Sequence, residues 1–313
     1  MKIHLIMTAV ICMILILFPL CFISYTDEKN NSVQTEITQV DTESISVFLV
    51  ADQETVDIKI FDYIVGAVAS EMPASYEVEA LKAQAVACYS YMLWVKENSD
   101  NAEYDITNDP STHQGYLTEE EMKEKWGDKY ESYKRKIEEA VSEVFGEYMT
   151  YEGEVILALY HAISPGKTQN SEDVWSSPLP YIKSKSAPGD SLSPDFDSEI
   201  TVSCNKIRKL FDVDETVKSG ELIDIFSLSD SRFIKNISVG NVSVTAGELA
   251  AKLSLPSPYF TAEYKEGNYI FFVKGYGHGL GMSQYSADYM ARQASKYDEI
   301  LRHFYDGVKI EKP

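Results

Sequence analysis

The chain has 313 residues, 44% of them hydrophobic and 12% aromatic, with a formal net charge of −21. This content excludes a disordered polar chain and is enough to bury one large core or two ordinary ones. A field this negative excludes nucleic-acid binding through overall charge. It also repels anionic lipid and acidic wall polymers, so any hold on such a polymer has to come from a local site. The 21 tyrosines fit either a sugar-handling surface or ordinary half-buried packing.

Residues 5–24 carry no charge. Twenty residues at 1.5 Å each span about 30 Å, one hydrocarbon core. Lys2 precedes the run, and Asp27 and Glu28 follow it, which places the N-terminus inside and the rest of the chain outside. No small-x-small cleavage site closes the run, which favours a retained anchor (residues 1–25) over a cleaved signal peptide. Cys12 and Cys21 fall in the anchor, leaving Cys88 and Cys204 outside it. Two cysteines so far apart in sequence are more often buried and free than paired.

Residues 26–44 are polar and read as a tether. Residues 46–60 alternate as a strand or hairpin does. Residues 60–69 have helical spacing that stops at Met72-Pro73, because a residue before proline avoids the helical region. Ser75 is the expected N-cap of a second helix reaching about Val95, with Ala80, Ala83, Ala85 and Ala87 allowing close packing. A charged amphipathic helical stretch spans 118–145, and a strand pair turns at Glu152-Gly153. Residues 187–196 read as a loop. The pattern changes over 198–262, with a helix near 204–211, strands over 233–244 and a helix near 246–253. Residues 269–273 form a strand leading into a glycine-rich turn, and one or two helices follow over 283–305.

Four stretches carry residues fit for chemistry. In the first, Glu71 ends a helix at Pro73 between an apolar helix and an alanine-rich one. A carboxyl with apolar walls has its pKa raised and stays protonated near neutral pH, as a general acid on a glycosidic oxygen must. A local cap or ion pair is the plainer reading of the same residue. The second runs from Tyr160 and His161 through Ser164, Pro165, Gly166, Lys167 and Asn170 to Glu172, Asp173 and Trp175, a polar loop beside a tryptophan that suits carbohydrate. A Ser–His hydrolase is a rival there, though the Gly-x-Ser-x-Gly elbow is absent. In the third, Gly275, Tyr276, Gly277, His278, Gly279 and Gly281 precede Ser283, Gln284 and Tyr285, where a helix start can hold an anion such as a sugar carboxylate. The fourth is a polar loop with Thr112, His113, Gln114, Gly115 and Tyr116. His113, His161 and His278 lack the local spacing of a zinc set, so no metal and no cofactor is expected.

Together these stretches resemble the stage II sporulation protein D family, whose domain is shared with amidase-enhancer proteins. The matching runs are YIVGAVASEMPASYEVEALKAQAVA, THQGY, ALYHAISPGKTQNSEDVW, LPYIKS, GYGHGLGMSQY and YDEILRHFYDGVKI, in family order. The resemblance implies a lytic transglycosylase that cuts between N-acetylmuramic acid and N-acetylglucosamine and leaves a 1,6-anhydro ring. Glu71, in the family's Glu-Met-Pro motif, would be the acid. Gln114, Tyr116, His161, Ser164, Lys167, Asn170, Glu172, Tyr276, His278, Ser283 and Gln284 would line the glycan groove. It further implies strands stripped of stem peptides, stage II sporulation proteins P and M as partners, and action outside the cell membrane during forespore engulfment. The chain departs from the family at Tyr89, where an arginine is usual, and at Pro165, within a Ser-Gly-Gly turn. It also lacks the cysteines that some clostridial members place around the His-Gln run to bind zinc.

The expected fold is α+β: a mainly helical N-terminal part with a cleft, a catalytic domain over 45–197 and 263–313, and a small β-rich insertion over 198–262. The rival to an enzyme is a peptidoglycan-binding module that stimulates an N-acetylmuramoyl-L-alanine amidase.

Overall fold

The computed structural model describes residues 43–175, 178–229 and 233–312. The anchor expected over 5–24 and nearly all of the tether lie outside the described residues. Among those described, no helix is long and apolar enough to cross a membrane.

The fold is mixed α+β, with small sheets rather than one large one. In chain order it begins with strands β1 (Ser44–Leu49) and β2 (Glu54–Lys59), then helices α1 (Ile60–Glu71) and α2 (Val78–Asn98). Strand β3 (Ile106–Thr107), helices α3 (Glu119–Trp126) and α4 (Tyr130–Val144), and strands β4 (Tyr148–Tyr151) and β5 (Glu154–Val155) follow. Next are β6 (Asp197–Ser203), α5 (Cys204–Phe211), β7 (Ile223–Leu228), β8 (Ile234–Val239), β9 (Val242–Val244) and α6 (Ala246–Leu253). The chain ends with β10 (Phe260–Lys265), β11 (Asn268–Lys274), α7 (Gln284–Arg292), α8 (Tyr297–Phe304) and β12 (Lys309–Glu311).

The described residues form two compact units. The first holds residues 43–160 and 287–312, and the second holds residues 161–286. In the first unit, β1 pairs antiparallel with β2 and parallel with β3. Helix α2 is its centre. Ala80, Ala83, Ala85 and Ala87 are all buried, and these small side chains let α1 and α4 pack close to its axis. Tyr63, Met72, Leu81 and Met92 fill the space between helices. Burying side chains of this size contributes about 1.5–3 kcal/mol each. The C-terminal strand β12 returns to pair with β4, and the Tyr305 hydroxyl donates to the Leu159 carbonyl at 2.6 Å.

In the second unit, β11 lies between β10 and β6, and a separate sheet has the order β9-β8-β7. Its core joins Ile207 and Phe211 of α5, Leu249 and Leu253 of α6, and Tyr269, Phe271 and Val273 of β11. Residues 198–262 lie wholly within this unit.

One local expectation needs correction. Ser75 is not the N-cap of α2. A turn in which the Tyr76 amide donates to the Pro73 carbonyl uses up this segment, so the helix starts at Val78 behind Glu77, with no side-chain cap. The stretch 118–145 is helical as expected, and it is divided into two helices because Gly127 takes a positive φ of 50° and ends α3 there. The alternation-based reading also passed over β6, β7 and β10 as separate strands. Cys88 and Cys204 are both free and buried.

Thr118 caps α3 reciprocally. Its side chain accepts from the Glu121 amide, and Glu121 accepts from the Thr118 amide. Thr118→Ala is expected to lower unfolding free energy by about 1 kcal/mol, read from denaturant midpoints.

Candidate functional site

Pro73 fixes where Glu71 stands. The residue before a proline is pushed to extended backbone, and Met72 sits at φ −138°, ψ 140° with no exposed surface. Glu71 is thus the last helical residue of α1, and it is only 2% exposed. Its Oε1 accepts the Gly115 amide at 2.8 Å, while Oε2 has no hydrogen-bond partner among the described residues.

The neighbouring polar groups are linked to one another. The Tyr160 hydroxyl donates to Gln114 Oε1 at 3.0 Å, and Gln114 Nε2 donates to the Tyr63 hydroxyl at 3.0 Å and the Cys88 carbonyl at 3.2 Å. Gln84, also buried, donates to the Cys88 sulfur at 3.3 Å. Burial pushes the Glu71 carboxyl well above the usual carboxylate range. The Gly115 amide, the Tyr160 hydroxyl and Lys125 oppose this more weakly. A carboxyl shifted in this direction favours its protonated form, the form that can give up a proton and take one back.

The first unit therefore brings together Glu71 and Gln114. Tyr116 lies alongside, stacked on Tyr63 with ring centres 5.5 Å apart. Tyr89, at the arginine position, is buried against Phe145 in an edge-to-face contact. It is a packing residue with no positive charge to offer an anion. Sequence reasoning missed Tyr63 and Gln84, which are ordinary helix residues until the fold joins Tyr63 to Gln114 and Gln84 to Cys88.

The second unit gathers a different set. His161 Nδ1 lies 3.0 Å from the Leu280 carbonyl, which only accepts, so Nδ1 carries the proton. Nε2 then accepts from the Ser164 hydroxyl at 2.6 Å. Burial, aided by nearby His278, lowers the His161 pKa to about 3, so the ring is neutral. His278 is half-buried, its Nδ1 accepts the Leu280 amide, and its ring centre is 5.7 Å from that of His161. Tyr276 exchanges backbone hydrogen bonds with Ile163, at 2.6 and 3.0 Å, which ties the glycine-rich run to the His161–Ser164 run.

The carboxyl that organises this set is Asp190, which sequence reasoning left inside a loop. It is fully buried. Its Oδ2 accepts the Ser164 amide at 2.6 Å and the Ser283 hydroxyl at 2.8 Å. The start of α7, expected to face a sugar carboxylate, thus faces a carboxyl of the chain itself. Burial pushes the Asp190 pKa up to about 7, against opposing bonds from Ser283, Ser164 and the Ser286 amide. Gln284 is buried as well, and its Nε2 has no hydrogen-bond partner among the described residues. Only a buried serine in the Gly-Met-Ser-Gln run, needing an acceptor, could have pointed to Asp190.

The remaining predicted residues lie toward the surface. Glu172 is exposed and pairs with Lys183 at 2.8 Å, and Asp173 pairs with Lys235 at 3.4 Å. Asn170 donates to Asp173 and accepts the Ser184 amide. Lys167 is half-buried and bridges to Ser186 through backbone. His113 Nδ1 accepts the Thr107 amide. Among the described residues, no three His, Cys, Asp or Glu side chains gather as metal ligands do.

Two tests follow from the second unit. Gly275 has φ +73°, and a Cβ there would stand 2.6 Å from the Ile163 carbonyl oxygen. Gly275→Ala is expected to destabilise the fold by about 1–3 kcal/mol, measured by chemical unfolding. Asp190 binds its proton more tightly when folded than unfolded. Its contribution is therefore full below the ordinary carboxyl pKa and is lost as pH rises toward about 7. Asp190→Asn keeps an acceptor oxygen and should flatten that part of the stability–pH curve.

Comparison with known proteins points to the same family. The family model described as Stage II sporulation protein, SpoIID, matches residues 52–151. Stage II sporulation protein D of Bacillus subtilis (strain 168) is 29% identical, covering 100% of this chain and 96% of its own length. Stage II sporulation protein D of Bacillus amyloliquefaciens is 30% identical over 86% of this chain and 79% of its own length. An amidase enhancer of Bacillus subtilis (strain 168) is 26% identical over 78% of this chain but only 40% of its own length. Similarity of this extent, running through the Glu71, Gln114 and His161 stretches alike, makes the chain a member of the stage II sporulation protein D family.

Proposed function

We propose that this protein is a peptidoglycan lytic transglycosylase of sporulation, with Glu71 as its single acid and base. The observation that carries the proposal is the setting of Glu71: buried, with its pKa raised by that burial, and with one oxygen that has no hydrogen-bond partner among the described residues. In the reaction, the Glu71 proton passes to the glycosidic oxygen between N-acetylmuramic acid and N-acetylglucosamine. The bond from muramic C1 to that oxygen breaks, and N-acetylglucosamine leaves with a hydroxyl. The muramic C6 hydroxyl attacks C1 and closes the 1,6-anhydro ring. Its proton returns to Glu71, which restores the acid. No water is consumed and no cofactor takes part. A hydrolase would instead need a second carboxylate to activate water or attack C1. Glu172 and Asp173 are poor candidates for that role, because each is already paired with a lysine.

The family resemblance extends the proposal. The substrate would be glycan strands stripped of stem peptides, and stage II sporulation proteins P and M would be partners. The N-terminal run would anchor the chain, with the rest outside the membrane. Contacts to sugar by the predicted glycan-binding residues belong to the same proposal.

A second reading also has support. Similarity to an amidase enhancer covers 78% of the chain, and Glu71 is shut from solvent in this state. A binding module that stimulates an amidase would have both features.

Digestion of stem-peptide-free glycan by the full chain separates the two readings. The enzyme reading expects anhydro-muramic products that fall by at least about 10²-fold with Glu71→Gln, since a general acid is worth roughly that much. Stimulated amidase activity with no anhydro product, from either protein, would establish the binding module instead. The enzyme should also stay active through neutral pH and fail on the alkaline side, where the raised Glu71 carboxyl finally ionises. A loss of activity near the ordinary carboxylate range would contradict the assignment.

A further inference from the structure

The two oxygens of Glu71 are not equivalent. Oε1 accepts the Gly115 amide at 2.8 Å, and Oε2 is buried with no hydrogen-bond partner among the described residues. An oxygen whose lone pair takes up an N–H cannot direct its own hydrogen along the same line. The proton of the neutral acid therefore belongs on Oε2. A buried polar atom without a partner calls for an explanation. A reacting sugar oxygen would be the partner that Oε2 lacks.

The segment that brings Gly115 to Glu71 is held on α1 by a notch. The Leu117 amide donates to the Gly66 carbonyl at 3.1 Å. The Tyr116 ring lies over Gly66 and stacks on Tyr63. A Cβ on Gly66 would overlap the Tyr116 ring and stand 2.7 Å from the Leu117 carbonyl oxygen. Gly66 sits inside a helix, where glycine is an unfavourable choice. The close approach of this segment accounts for it.

We propose that residues 113–117 form a positioning strap for Glu71, in which the Gly115 amide fixes Oε1 as the acceptor and so assigns the transferred proton to Oε2. This rests on the reading of Glu71 as the acid. Gly115 is a positioning residue and does not itself touch the sugar. The ionisable groups facing Glu71 are Tyr63 of α1, Cys88 and Tyr91 of α2, Lys125 of α3, and Tyr160. The tyrosines and the cysteine have their pKa values pushed up and stay neutral, so Lys125 is the charged member of this set, and it opposes the effect of burial more weakly.

The test uses the full chain acting on stem-peptide-free glycan. Gly66→Ala puts a methyl group beneath the strap, while alanine itself favours the helix. Tyr116→Ala removes the ring without adding bulk, and so covers the case in which Gly66→Ala does not fold. Both should lower kcat by about 10- to 100-fold with little change in KM, as loss of alignment does. Both should also move the alkaline limb of the pH profile to lower pH, because burial outweighs the amide in setting the Glu71 pKa. Variants that are less stable but keep the wild-type kcat and alkaline limb would overturn the strap while Glu71→Gln remains inactive. An active Glu71→Gln would overturn the parent reading and the strap with it.

Discussion

The first unit is organised around the burial of one carboxyl. Glu71 is kept from water by an alanine-lined helix on one side and the strap on the other. A backbone amide of that strap donates to its Oε1. Taking an ionised carboxylate out of water is costly, and a neutral acid is the state such a site permits. The surrounding chain serves this state. Pro73 ends the helix where the side chain has to stop, Gly66 lets the strap approach, and Gln114 locks Tyr63, Cys88 and Tyr160 into one network.

The second unit meets a comparable problem in another way. Its buried carboxyl, Asp190, has partners for one oxygen, and those partners come from two separate motifs. His161 and Ser164 form a neutral pair whose proton order is set by the Leu280 carbonyl. A serine and a histidine this close resemble a nucleophile and its base. Both are buried, at 0% and 2% exposure, and their bonds are all internal. In this state the pair works as a loop brace, and the two motifs belong together because they share Asp190.

Much of this was legible in the sequence where local physics decides. The proline stop after Glu71, extended structure over 46–60, the alanine-rich helix and the helices at Cys204–Phe211 and Ala246–Leu253 all follow from spacing and backbone limits. Less was legible where the decisive partner is distant. Ser75 had the chemistry of a cap, but a turn from Pro73 to Tyr76 had already used the segment. Asp190 lies 26 residues from Ser164 and 93 from Ser283, so no local pattern could join them. Burial was the least legible property. Gln114, His161 and Ser164 are polar residues in loop-like stretches and Ser283 and Gln284 stand at a helix start, which argues for exposure, yet all are enclosed.

The claim on which the account depends is that Glu71 is a neutral acid at working pH. Carbon-13 NMR of glutamate side-chain carboxyls, titrated in the full chain and assigned with Glu71→Gln, measures this directly. The account predicts one glutamate resonance that stays in its protonated position through neutral pH and moves only well above the usual carboxylate range. A Glu71 resonance that titrates together with the exposed glutamates would contradict it.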